Sequence, residues 1–113
     1  MPLHKLLRTV VEMQLADYCD RRVPVHLRDR VRMTFRIHGN YVTLFEERRL
    51  PDSETRWARY RIAQFRYDED TSMWSVYWEN GADRWERYDA PPSRSLKDLL
   101  KVVDANPRGC FFG

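Results

Sequence analysis

All four tryptophans and four of the six tyrosines fall within Trp57–Asp89, WARYRIAQFRYDEDTSMWSVYWENGADRWERYD. Side chains there alternate with period two, and the runs are broken by the acidic turn Asp68–Ser72 and by Asn80-Gly81. That is the pattern of short strands joined in succession by tight turns. Trp74, Val76 and Trp78 share one face, Ser75, Tyr77 and Glu79 the other. Aromatic strands of this kind must bury one face, and the remaining chain divides into segments that extend this sheet and segments that cover it.

Upstream, Val31, Met33, Phe35 and Ile37 alternate with Arg32, Thr34, Arg36 and His38, one face dry and one wet. Gly39-Asn40 supplies a tight hairpin turn, and Tyr41–Arg49 returns with Val42 and Leu44 opposed to Tyr41, Thr43 and Phe45. Leu50–Thr55 is a polar loop. The third strand covers Trp57–Tyr67, the fourth Trp74–Glu79 and the fifth Arg84–Tyr88. Such short sequential connections imply an antiparallel meander.

Residues 3–21 read as a helix. Leu3, Leu6, Val10 and Met13 form one apolar row and Leu7, Val11, Leu15 and Tyr18 an adjoining one, so packing through one broad face is expected. Pro24 ends this helix, and His26–Asp29 is a turn leading into the sheet. A second helix over 95–105 has Ser95 as N-cap, Asp98 in its first turn and Leu96, Leu99, Leu100 and Val103 as its buried stripe. The apolar tail 107–113 is expected to fold back onto the sheet or onto a partner. The reading is one α+β domain over 1–113: a five-stranded antiparallel meander over 31–89 with an N-terminal and a C-terminal helix packed on it.

The 113 residues suffice for one core without a disulfide or metal staple. The net charge of +3 hides an asymmetry, because residues 1–66 carry 14 basic and 8 acidic side chains and residues 67–113 carry 6 and 9. Arginine outnumbers lysine 17 to 3, which favours flat stacking and forked recognition of phosphate or carboxylate. Cys19 and Cys110 stand apart with no zinc-like spacing, so reduced thiols are expected; acidic neighbours at Cys19 oppose a thiolate, and Arg108 makes Cys110 the better placed of the two. Charges at Arg8 and Glu12 break the first apolar run, so no signal peptide or membrane span is read, and a cytoplasmic protein is expected.

Several short runs together resemble a family of small bacterial proteins known as a domain of unknown function. They are Val23-Pro24-x-His26-x-Arg28-Asp29-x-Val31-Arg32, then Gly39-Asn40-x-Val42-Thr43-Leu44-Phe45-Glu46, and Ile62-Ala63-Gln64-Phe65-Arg66-Tyr67. Further on come Trp74-x-x-Tyr77-Trp78, Trp85-x-Arg87-Tyr88-Asp89 and the tail Pro107-x-Gly109-x-Phe111-x-Gly113. The tail has Cys110 and Phe112 where the family's pattern has an aliphatic residue and often a tryptophan. The resemblance implies a bacterial, cytoplasmic, single-domain protein and brings no activity, cofactor or substrate.

The residues themselves point to a binding face. With the apolar side of the first strand against the helices, Arg32 and Arg36 face out, joined by Gln64, Arg66 and Tyr77 from later strands. Rings beside guanidinium groups are what single-stranded nucleic acid needs, rings for bases and cations for phosphates. The expected function is a non-catalytic binding or adaptor domain for a macromolecular partner, single-stranded nucleic acid or RNA first and another protein second. No cofactor or metal is expected. A metal-dependent nuclease is the remote alternative, built on Glu46, Asp52 and Gln64-x-Arg66, with arginine a poor substitute for the lysine such sites use.

Overall fold

The computed structural model describes residues 3–81, 83–106 and 108–112. Five strands form one antiparallel sheet in sequence order: β1 (Val31–His38), β2 (Tyr41–Arg49), β3 (Trp57–Asp68), β4 (Met73–Glu79) and β5 (Trp85–Arg87). A helix precedes the sheet, α1 (Lys5–Arg22), and another follows it, α2 (Leu96–Ala105). The fold is the expected α+β meander. β5 is shorter than the sequence suggests, because Arg84 belongs to the turn closed by its carbonyl and the Asn80 amide. Tyr88 leaves the strand while still donating to the Val76 carbonyl.

The β1–β2 hairpin closes between His38 and Tyr41, with Gly39 at φ +59°, a conformation that a side chain would strain. Cross-strand partners then stack Phe35 with Leu44, Ile37 with Val42, Leu44 with Ala63, and Val42 with Phe65 on one side. Phe65 pairs with Val76 and Tyr67 with Trp74, whose rings lie 5.0 Å apart. α1 packs on β1, and α2 on β3 and β4, so this side holds the core.

One residue disturbs the regular ladder. Leu44 pairs with Ala63 and Phe45 with Arg61, leaving Ile62 unopposed as a bulge. Both Ile62 and Ala63 are buried. Strict alternation back from Gln64 would have turned Ile62, Tyr60 and Ala58 to the outer face. Past the bulge, Arg61, Arg59 and Trp57 take those positions, opposite Phe45, Glu47 and Arg49.

α1 departs from the single broad face expected of it. It begins at Lys5, after His4, whose Nδ1 accepts a hydrogen bond from the Leu6 amide. Val11, Leu15 and Tyr18 are buried, but Leu6, Val10 and Met13 are 72%, 47% and 67% exposed. The two apolar rows diverge around the helix and β1 covers one of them, while Leu3, ahead of the helix, is buried. Helical periodicity cannot distinguish a wide stripe from two stripes when the sequence is apolar on both.

α2 behaves as expected, with Leu96, Leu99, Leu100 and Val103 all buried. Its start is tied differently: Ser95 makes no side-chain cap bond, and the Ser93 hydroxyl instead donates to Asp98 at 2.7 Å. At its end Asn106 adopts the left-handed conformation. The Asn106 side-chain oxygen accepts from the Phe111 amide, which turns the tail back. Phe111 is buried against Tyr88, and the Arg22 guanidinium lies over the Phe112 ring. Pro107 and Gly113 of the tail lie outside the described residues. The Tyr18 hydroxyl donates to Asp104 at 2.9 Å, joining the two helices. Among the described residues no helix is long and apolar enough to cross a membrane.

The two rows of α1 should separate in unfolding experiments. Leu15→Ala is expected to cost about 2–5 kcal/mol, whereas Met13→Ala should stay within about 0.5 kcal/mol. Urea titrations of both variants measure the difference, and equal losses would contradict the two-faced arrangement.

Candidate binding face

Strand register places the side chains facing away from the helices in rows across the sheet. One row runs Arg36, Thr43, Gln64, Tyr77, Arg87 through all five strands. Beside it lies His38, Tyr41, Arg66, Ser75. On the other flank come Thr34, Phe45, Arg61 and then Arg32, Glu47, Arg59. All five residues expected from the sequence, Arg32, Arg36, Gln64, Arg66 and Tyr77, therefore face the same way. They divide into two groups with different work.

Arg32 belongs to an ion-pair group. Its Nε donates to Glu47 Oε1 at 2.6 Å, and Arg59 Nε donates to Oε2 of the same carboxylate at 2.7 Å. The guanidinium of Arg32 also stacks on Trp57 at 4.0 Å, and that of Arg59 on Phe45 at 4.8 Å. Glu47, at 4% exposure, is covered by these two cations. Burial alone would push its pKa up, but the hydrogen bonds and charges of Arg32 and Arg59 outweigh it and hold the carboxyl below its ordinary 4.5. Both arginines thus serve the sheet, and Arg32 stands two rows away from Arg36.

Arg66 organises the second group. Its guanidinium lies 3.9 Å from the Tyr77 ring and 4.5 Å from the Tyr41 ring. Its Nε donates to Gln64 Oε1 at 2.8 Å, while Gln64 Nε2 donates to Thr43 Oγ1 at 3.1 Å. Gln64 is only 8% exposed, so the open surface position expected for it gives way to a buried one. It sits beneath Arg66 and holds it against the two tyrosines. Arg36 and Arg87, at the ends of the row, are exposed and show no acidic partner among the described residues.

Around Arg66 is an open depression of about 430 Å³, lined among others by Tyr41, Ser75, Tyr77 and Arg87. Asp68, Glu69 and Asp70 form its acidic end. Tyr41, 43% exposed, presents its ring to solvent. Sequence reasoning missed Tyr41 and Arg87. The signal for Tyr41 was the alternation of β2, where it opposes the buried Val42 and Leu44. Arg87 is visible only once the β4–β5 register sets it beside Tyr77.

The nuclease constellation does not assemble. Glu46 pairs across from Met33 on the side the helices cover and bridges to Arg48, whereas Gln64 and Arg66 are on the other side. Asp52 sits in the exposed turn after β2. No group of three metal-ligating side chains occurs among the described residues. Burial pushes the Cys19 thiol up to about 11, which keeps it protonated at neutral pH. The cause is desolvation, where the sequence suggested its acidic neighbours. Burial raises the Cys110 pKa too, against a smaller opposing pull from Arg108.

A family model described as "Domain of unknown function (DUF3024)" matches residues 3–113. No curated protein and no solved structure matches the chain.

The Glu47 bridge has a definite pH signature. A depressed pKa contributes stability that is complete above the unfolded value and is lost as pH falls through the folded one. Glu47→Gln should therefore lower stability by about 1–2 kcal/mol at neutral pH, a modest figure because both arginines are partly solvated. The gap between variant and parent should close as pH drops below the ordinary carboxylate range. Denaturant midpoints measured from neutral to acidic pH read this directly; a gap that widens in acid would contradict it.

Proposed function

The chain belongs to the DUF3024 family, a domain of unknown function, and we propose that it is a non-catalytic binding module that takes single-stranded nucleic acid on its outer sheet face. The observation that carries this reading is the juxtaposition of an exposed ring, a stacked guanidinium and two unpaired arginines within two adjacent rows. Tyr41 and the Arg66 guanidinium plane offer flat surfaces on which a base stacks. Arg36 and Arg87 flank them and neutralise the phosphates on either side. Gln64 and Thr43 keep Arg66 in place and do not reach the ligand. Arg32 and Arg59 are engaged by Glu47, and the track ends before them.

A second reading rests on the acidic turn. Asp68, Glu69 and Asp70 border the depression and repel phosphate at that end. A face with both signs of charge also suits the polar surface of another protein, and in that case no nucleic acid is bound.

Binding of a labelled single-stranded RNA, followed by fluorescence anisotropy at several salt concentrations, separates the two. Two phosphate contacts give a slope of log affinity against log salt of about −1.4. Arg36→Ala and Arg87→Ala should each flatten that slope by about 0.7, and Tyr41→Ala should cost about 1–3 kcal/mol without changing it. Absence of binding at low salt, with one protein recovered stoichiometrically on the same face, would favour the protein partner. Affinity indifferent to salt would remove the nucleic-acid reading altogether.

A further inference from the structure

The acidic end of the depression has no cation to answer it. Asp68, Glu69 and Asp70 are exposed, and among the described residues no ion pair joins any of them to an arginine or lysine. Nor do they gather into a group that could hold a metal ion. Asp68 differs from the other two in belonging to β3, where it pairs with Met73. Its parity is that of Gln64 and Arg66, so it faces outward. The Arg66–Ser75 row lies between it and the row of Tyr77 and Arg87. Asp68 Oδ1 accepts from the Asp70 amide at 2.9 Å, which fixes the carboxylate, and Oδ2 makes no hydrogen bond among the described residues. Asn40 lines the same depression, and its side-chain oxygen is buried with no hydrogen-bond partner. The wall beside the Arg66 platform is thus rich in acceptors that lack donors.

We propose, resting on the nucleic-acid reading above, that this end of the depression reads the base stacked on Tyr41 and Arg66. The base is guanine, and the Asp68 carboxylate accepts from its N1–H and N2–H. A carboxylate is an acceptor only, and it binds most strongly where two donors lie side by side. Guanine alone among the four bases carries two adjacent donors on its pairing edge, the edge that an unstacked base leaves open. Adenine and cytosine set one amino group beside an acceptor nitrogen, and uracil sets its single N–H between two carbonyls. Each of these three turns a lone pair toward the carboxylate. Phosphate is repelled by the same charge, so the backbone keeps to Arg36 and Arg87 and the base edge enters the acidic end. A basic peptide is also attracted by three carboxylates, but its cation would have to lie against the Arg66 guanidinium.

Fluorescence anisotropy of a labelled uridine heptamer, with its central nucleotide varied, tests the proposal. A central guanosine should bind about tenfold or more tightly than the all-uridine strand, the order expected of a two-bond contact to a base. Inosine, which keeps N1–H and lacks the N2 amino group, should lose most of that gain. A central 7-deazaguanosine, altered only on the edge away from Asp68, should keep it. Asp68→Asn should bring the guanosine-to-uridine ratio to within about threefold, since an amide offers one acceptor where the carboxylate offers two. Its remaining oxygen still accepts from the Asp70 amide, so the turn is retained. Equal, salt-dependent binding of every strand overturns the guanine assignment and leaves the nucleic-acid reading standing. Absence of binding by all of them at low salt removes both. Inosine as tight as guanosine, or a guanosine preference that survives Asp68→Asn, also overturns the proposal.

Discussion

The outer face depends on the bulge at Ile62. In a regular strand each residue's side is fixed by parity, and the whole of β3 would present even-numbered residues outward. The extra residue restarts the count. Ile62 and Ala63 both reach the core, and the arginines at 59 and 61 with Trp57 come round to the side where Glu47 and Phe45 wait. Without it, Tyr60 would lie opposite Glu47 and Ala58 opposite Arg49, and that carboxylate would be buried with Arg32 as its single cation. A lone buried carboxylate is costly, whereas one hydrogen-bonded by two guanidinium groups is tolerated. The bulge and the buried acid are thus mutually dependent.

That dependence divides the labour among the arginines. Their abundance suggests a uniformly basic surface, but the geometry assigns them unequal roles. Arg32 and Arg59 neutralise Glu47 and lie flat on Trp57 and Phe45. Arg61 is held by Glu79 and Asp83 at the end of β4. Arg66 is pinned by Gln64 against two tyrosines, and Arg36 and Arg87 stand exposed on the face without an acidic partner among the described residues. A ring capped by a fixed guanidinium still presents a flat, cationic plane, and immobilising it beforehand reduces the entropy lost when a ligand settles on it. The candidate site is accordingly compact, two rows wide, at the end of the sheet where all five strands are paired.

Much of this was legible from alternation. The five strands, their order and the inward set Val42, Leu44, Phe65, Trp74 and Val76 follow from period two and short connections, because burial on one side leaves that imprint on sequence. The bulge left no such imprint: Ile62-Ala63 in an apolar run reads equally well as regular strand. Gln64 misleads for a related reason, since a polar side chain can be buried when Thr43 and Arg66 satisfy it, and those partners come from register. The two rows of α1 could not be told from one wide stripe because nothing in a helix's own sequence states which side the sheet will cover.

β1 links the two surfaces of the molecule. Its inward residues Met33 and Phe35 belong to the core on which α1 lies, while Arg36 projects from the opposite side into the five-residue row. The side that α1 and α2 cover is thus spent on the core, and a ligand that met the row from Arg36 to Arg87 would do so away from both helices.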